Sequence, residues 1–163
     1  MAVIGIDPGT AITGFGIISE GESGGLNPIE YGVFRTEAGL APEKRLVSIY
    51  QQITDIIKRY KIASAAVEKL FFQRNTTTAM TVGQARGVVL LALEQNGIPI
   101  SEYNPVEIKQ AITGYGRAGK RQIQEMVKVL LELDEIPKPD DAADALAVAI
   151  CHIHSRKLKH LGS

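Results

Sequence analysis

Four carboxylates in this sequence stand where a folded chain gains least from them. Asp7 closes the apolar run Ala2-Val3-Ile4-Gly5-Ile6, Glu68 closes Ile62-Ala63-Ser64-Ala65-Ala66-Val67, and Asp141 and Asp144 interrupt the Ala-rich stretch from Asp140 to Cys151. Ionised carboxylates at the ends of buried elements repel one another and are costly to desolvate unless a cation sits among them. One such acid is ordinarily a turn or cap residue; four together point to a divalent-metal site. Ligands that are all oxygen favour Mg²⁺, with Mn²⁺ able to substitute, over zinc. His152, His154 and His160 lie beyond the acids with no Cys partner at zinc spacing, so His152 and His154 are expected at the surface or an interface. Two magnesium ions held by four carboxylates suit in-line hydrolysis of a phosphodiester, and the residues read as those of a metal-dependent nuclease.

Charge supports a polyanionic substrate. The whole chain balances 18 Lys and Arg against 18 Asp and Glu. Residues 61–128 nevertheless hold nine cations (Lys61, Lys69, Arg74, Arg86, Lys109, Arg117, Lys120, Arg121, Lys128) and only five acids. A basic stretch beside an acidic metal site lets cations hold a nucleic-acid backbone while the carboxylates hold the metal. Cys151 is the only cysteine, which excludes an internal disulfide and fits a reducing compartment. With no long apolar run and no signal-like N-terminus, a soluble, cytoplasmic protein without membrane association is expected.

The elements that must position the acids follow from periodicity. Ala2 to Asp7, Thr13 to Ser19 and Tyr31 to Thr36 read as an antiparallel meander, with Pro8-Gly9 as the first turn and Gly21 to Pro28 as a loop. Leu46, Ile49, Tyr50, Ile53, Ile56, Ile57 and Tyr60 repeat with helical spacing between Pro42 and Tyr60. Ile62 to Glu68 is then a buried strand parallel to the first. A helix from Thr76 or Thr77 to Gln95 follows, apolar nearly all round from Val88 to Leu93, hence buried on more than one side or paired with a second subunit. Ile98 to Tyr103 is the last strand. Asn104 caps a short helix, Gly114 to Gly119 form a glycine-rich loop, and a helix through Ile123 to Leu131 precedes Pro137 and Pro139.

The final helix begins near Asp140, which reads mainly as its cap, with a supporting or substitute-ligand role as the alternative. Asp141 and Asp144, three apart, share one of its faces, and Ala142, Ala143 and Ala145 let it lie close to the sheet. The sum is an α/β fold: a mixed five-stranded sheet, three antiparallel strands then two parallel, with helices on both faces, as in the ribonuclease H-like architecture. The expected organisation is one nuclease domain over 1–158 and a disordered tail at 159–163.

Gly5-Ile6-Asp7-Pro8-Gly9-Thr10 with Thr13-Gly14-Phe15-Gly16, Val67-Glu68, Gly83-Gln84-Ala85-Arg86-Gly87 and Asp141-Ala142-Ala143-Asp144-Ala145-Leu146-Ala147 closely resemble the RuvC family of Holliday-junction resolvases, in order and spacing, from Ala2 to about His154. The resemblance implies an endonuclease that resolves four-way DNA junctions by paired symmetric nicks in recombination and repair. It implies a homodimer working with the RuvA and RuvB branch-migration proteins. Asp7, Glu68, Asp141 and Asp144 match the family's catalytic acids. Lys109 and Lys120 match basic residues near the cleaved strand, and Phe71 matches an aromatic that stacks at the opened junction. Phe71 and Phe72 cannot both point inward from an extended backbone, so one is expected to be available to solvent or DNA. Arg74, Arg117 and Arg121 complete the expected DNA contacts. Rival readings are a related ribonuclease H-like nuclease acting on structured RNA and an actin-like phosphate-binding domain. The latter needs two Asp-x-Gly-Thr blocks, and this chain lacks the second.

Overall fold

The computed structural model describes residues 1–69 and 76–162. Five strands, β1 (Ala2–Asp7), β2 (Ile12–Glu20), β3 (Leu26–Arg35), β4 (Ile62–Glu68) and β5 (Ile100–Tyr103), form one sheet in the order β3-β2-β1-β4-β5. β1 is antiparallel to β2, and β2 to β3; β4 runs parallel to both β1 and β5. The expected mixed ribonuclease H-like sheet is therefore present, with the first strand at its centre. β3 begins at Leu26, where the sequence suggested a loop through Pro28. Pro28 is tolerated because β3 is an edge strand and the pairing slips at Ile17/Ile18 opposite it.

Helices α1 (Pro42–Arg59) and α2 (Thr76–Gln95) cover one face of the sheet; α3 (Pro105–Thr113), α4 (Lys120–Leu130) and α5 (Asp140–Leu161) cover the other. The alternation of strand side chains divides the core accordingly. Ile4, Ile6, Phe15 and Ile17 pack with Ile49, Ile53 and Ile56 of α1 and Val89 and Leu93 of α2. Val3 and Ile18 join Ile108, Ile123, Leu146 and Ile150 on the opposite side. α5 continues to Leu161, so the tail expected at 159–163 is helical up to that residue. Lys159 and His160 occupy its last turn, where positive charge complements the helix dipole.

The contact that matters most for the site is that of α5 on β1 and β2, and glycine makes it possible. A Cβ on Gly5 would overlap the backbone of Ala145 and Ala149; one on Gly14 would overlap the Asp141 carbonyl. On Gly16 it would lie 2.6 Å from Leu146 Cδ2. Gly5 thus meets the small residues Ala145 and Ala149 of the helix, while Gly14 and Gly16 leave room for Asp141 and Leu146. The backbone of α5 rests directly on the central strands.

Candidate active site

The acids meet at the C-terminal ends of β1 and β4. Asp7 pairs in register with Gly14 of β2, while Ile6 pairs with Val67 of β4, so Glu68 emerges beside Asp7. The β1–β2 turn is braced by Thr13, fully buried, whose hydroxyl donates to the Gly9 carbonyl at 2.6 Å. Asp141 and Asp144 arrive from the first turns of α5, lowered onto the strands by the glycine contact just described. Carboxylate oxygens of Asp7, Asp141 and Asp144 all lie within 4.8 Å of one another. Glu68 stands at the flank of this trio and interacts with Asp7 and Asp144.

The electrostatics are those of a site lacking counter-charge. Burial first, then repulsion from Glu68, Asp144 and Asp141, pushes the Asp7 carboxyl from its ordinary 3.8 up to about 8. A side-chain hydrogen bond between the two carboxyls raises Asp7 further and acts to lower Glu68. Glu68 is itself raised by burial and by Asp144, with the Asp7 hydrogen bond and Lys109 acting in the other direction. Asp144 is raised by burial, against the pull of Lys120. A carboxylate cluster that the protein alone leaves partly protonated is what a divalent cation relieves. The donor set, oxygen only and converging from β1, β4 and α5, fits a hard cation of the Mg²⁺ or Mn²⁺ type.

Two cavities open on either side of Glu68. The first, about 300 Å³, is lined by Glu68 and Asp144 together with Lys109, Lys120, Pro105 and Ile123. Both expected lysines are therefore brought to the acids. Lys109 is carried by α3, whose start is fixed by a capping box: Asn104 Oδ1 accepts from the Glu107 N–H at 2.8 Å and Glu107 Oε1 from the Asn104 N–H at 3.1 Å. The second cavity, about 260 Å³, is lined by Asp7, Pro8, Glu68, Lys69, Val82, Arg86 and Pro105.

The other expectations fare differently. Arg117 and Arg121 are exposed and line neither cavity, and Arg121 pairs with Glu125 at 3.0 Å. Phe71, Phe72 and Arg74 lie outside the described residues. Asp140 is not the cap of α5: Pro139 occupies that position and no side chain caps the helix. Asp140 instead meets Lys120 Nζ at 3.1 Å and accepts from Gln124 Nε2 at 3.2 Å, joining α4 to α5. That pairing also offsets a lysine at a helix start, where positive charge is disfavoured.

His152 is not at the surface either. It is 3 % exposed, with Nε2 3.0 Å from Ser64 Oγ and Nδ1 2.8 Å from Tyr103 Oη. Its position on the sheet-facing side of α5, above the Ala and Leu residues that bury the same face, was available in the helical spacing. Gly5, Gly14 and Arg86 belong to the quoted motifs, but their contacts could not be read from one chain in isolation.

A family model described as crossover junction endodeoxyribonuclease RuvC matches residues 3–152. The chain belongs to the RuvC family. It is 57% identical over 158 residues to the crossover junction endodeoxyribonuclease RuvC of Desulfitobacterium hafniense, covering 97% of this chain and 95% of that protein. It is 53% identical over 163 residues to that of Pelotomaculum thermopropionicum, covering 98% and 99%. The solved structure of Thermus thermophilus RuvC superposes with a TM-score of 0.91 at 34% identity, covering 98% of this chain and 97% of that one. T. thermophilus RuvC in complex with a Holliday junction substrate gives a TM-score of 0.89 at 31% identity, covering 97% and 96%. Membership places the four acids in a nuclease family and gives the surrounding cations a nucleic-acid context.

Proposed function

We propose that the protein is a divalent-metal-dependent endonuclease that resolves four-way DNA junctions by paired, symmetric nicks. The observation that carries this reading is the convergence of Asp7, Asp141 and Asp144, with Glu68 beside them and Lys109 and Lys120 in the adjoining cavity, in a member of the RuvC family. Asp7, Glu68, Asp141 and Asp144 hold the metal, two Mg²⁺ ions per subunit, with Mn²⁺ as substitute. Such ions, when bound, supply Lewis acidity that activates water and offsets charge on phosphodiester oxygens. Lys109 and Lys120 hold the scissile strand and offset charge that develops as it breaks. Lys120 must leave or share Asp140 to do so; both side chains are largely exposed, so that pair costs little to open.

Further assignments rest on the family resemblance and on exposed surface. Phe71 is the aromatic platform for an unpaired base at the junction centre. Arg74, Arg117 and Arg121 contact the backbone farther out. The enzyme works as a homodimer, since paired nicks need two sites related by the junction's two-fold axis. α2 is the interface: Ala85, Val89, Ala92 and Leu93 are buried in the core, while Met80, Gln84, Gly87 and Leu91 form an exposed stripe. Among the described residues nothing lies within 4 Å of a Cβ placed on Gly87, which suits close approach by a second helix. RuvA and RuvB are the partners in the cytoplasm. Among the described residues no helix is long and apolar enough to cross a membrane.

The test is cleavage of a synthetic four-way junction beside a linear duplex and a structured RNA, each with Mg²⁺ and with EDTA. The reading expects symmetric nicks in the junction, with Mg²⁺ alone. Preferential cutting of the RNA would replace it with the ribonuclease alternative.

A further inference from the structure

We propose that Arg86 holds the phosphate that neighbours the scissile one, in the cavity on the opposite side of Glu68 from Lys109 and Lys120. The assignment rests on the junction-nuclease reading above. A nucleic-acid strand carries a charge at every nucleotide, so a strand with one phosphate at the acids presents further phosphates on both sides of it. Lys109 and Lys120 account for one side. On the other, Arg86 and Lys69 are the cations that line the cavity shared with Asp7 and Glu68, and Pro8, Val82 and Pro105 supply its apolar walls.

Arg86 is built into that wall rather than draped over it. Its side chain is 18% exposed, rooted in α2 beside the buried Ala85, and its Nη2 is paired with Glu102 of β5. Its Nε is buried and has no acceptor among the described residues. Guanidinium offers five donors in a fixed fork, so one edge can be held by a carboxylate while the remaining donors serve a phosphate. Glu102 thereby fixes the direction of the fork before any strand arrives. A lysine at this position could do one task or the other, because its single ammonium has no second edge.

A purely structural reading makes Arg86 a strut between α2 and β5. The two readings separate because Glu102→Gln breaks the strut but keeps the cation, whereas Arg86→Gln removes both. Single-turnover cleavage of a four-way junction with Mg²⁺ would be measured as a function of enzyme concentration for wild type, Arg86→Gln, Arg86→Lys and Glu102→Gln. Substrates would carry either natural phosphates or one neutral methylphosphonate at successive positions flanking the cut. A contact made equally in ground and transition states moves half-saturation more than the maximal rate, here by roughly ten- to hundredfold for Arg86→Gln. Arg86→Lys should recover part of the loss, and Glu102→Gln, which keeps the cation but loosens its aim, should raise half-saturation far less than Arg86→Gln. One methylphosphonate position should penalise wild type and leave Arg86→Gln unaffected.

A Glu102→Gln defect equal to that of Arg86→Gln would reduce the arginine to a strut. Methylphosphonate penalties identical in wild type and Arg86→Gln at every position would also overturn the assignment, as would wild-type half-saturation in Arg86→Gln. In each of these cases junction cleavage by wild type leaves the proposed function standing. A wild type that cuts no junction would overturn both.

Discussion

Asp7→Asn should abolish cleavage and yet stabilise the metal-free protein, a combination that follows from the sign of its titration. The Asp7 carboxyl is pushed up to about 8 in the folded state by burial and by Glu68, Asp144 and Asp141. In the unfolded chain it ionises near 3.8. Between those values the folded state binds a proton that the unfolded state has released, so stability falls as pH rises through that window and levels off above about pH 8. At pH 7 the window spans about three units at ~1.4 kcal/mol each, an upper limit of roughly 4 kcal/mol, with relaxation and water entry reducing it. Asparagine removes the titration while its amide can still donate to Glu68. The expected gain is about 1–4 kcal/mol in EDTA at pH 7, or very roughly 2–16 °C in Tm for a chain of this size. The advantage should vanish near pH 4. Thermal unfolding at pH 4, 5, 7 and 8 in EDTA measures it, and added Mg²⁺ should raise the wild-type Tm more than that of Asp7→Asn. A variant that melts below wild type at pH 7 in EDTA, or a difference that does not change with pH, would refute the reasoning.

Gly5→Ala should lift α5 from β1, because its Cβ overlaps the backbone of Ala145 and Ala149; a loss of at least about 1–3 kcal/mol in chemical denaturation, together with slower cleavage, is expected. Lys109→Ala and Lys120→Ala should each reduce the single-turnover rate, with Lys→Arg partly restoring it; unchanged rates in both Ala variants would remove them from the mechanism. Burial, reinforced by Arg156 and Lys159, pulls the His152 imidazole down to about 4 from its ordinary 6.5. Its contribution is therefore present above pH 6.5 and lost as pH falls toward 4, by about 1–3 kcal/mol, and His152→Gln should flatten that part of the stability profile measured by denaturant titration. Leu91→Glu, placed on the exposed stripe of α2, should shift the protein from dimer to monomer in sedimentation velocity, and an intact dimer would move the interface elsewhere.

Strand-ending acids at Asp7 and Glu68, and the i, i+3 pair Asp141 and Asp144, were legible in the sequence because local rules govern them: apolar runs end at polar residues, and helical spacing puts two side chains on one face. The strand order could be anticipated for the same reason, since the lengths of the connections leave few topologies for a meander followed by parallel crossovers. Four features depended on the fold itself. Gly5 and Gly14 read as turn or strand residues until α5 is laid across them and their missing side chains become the room in which Asp141 approaches Asp7. Asp140 had the position of a cap, and only the nearness of Lys120 and Gln124 on α4 made it a tie between helices. His152 became a buried link because Ser64 and Tyr103, 88 and 49 residues away along the chain, offer hydrogen-bonding partners under the helix. Arg86 was one cation among nine until the packing of α2 set it in the wall beside Asp7 and Glu68, paired with Glu102. Residue type and spacing determine which chemistry a chain can carry, whereas distances between side chains far apart in sequence arise only when the layers close and decide which groups share a charge, a proton or a cavity.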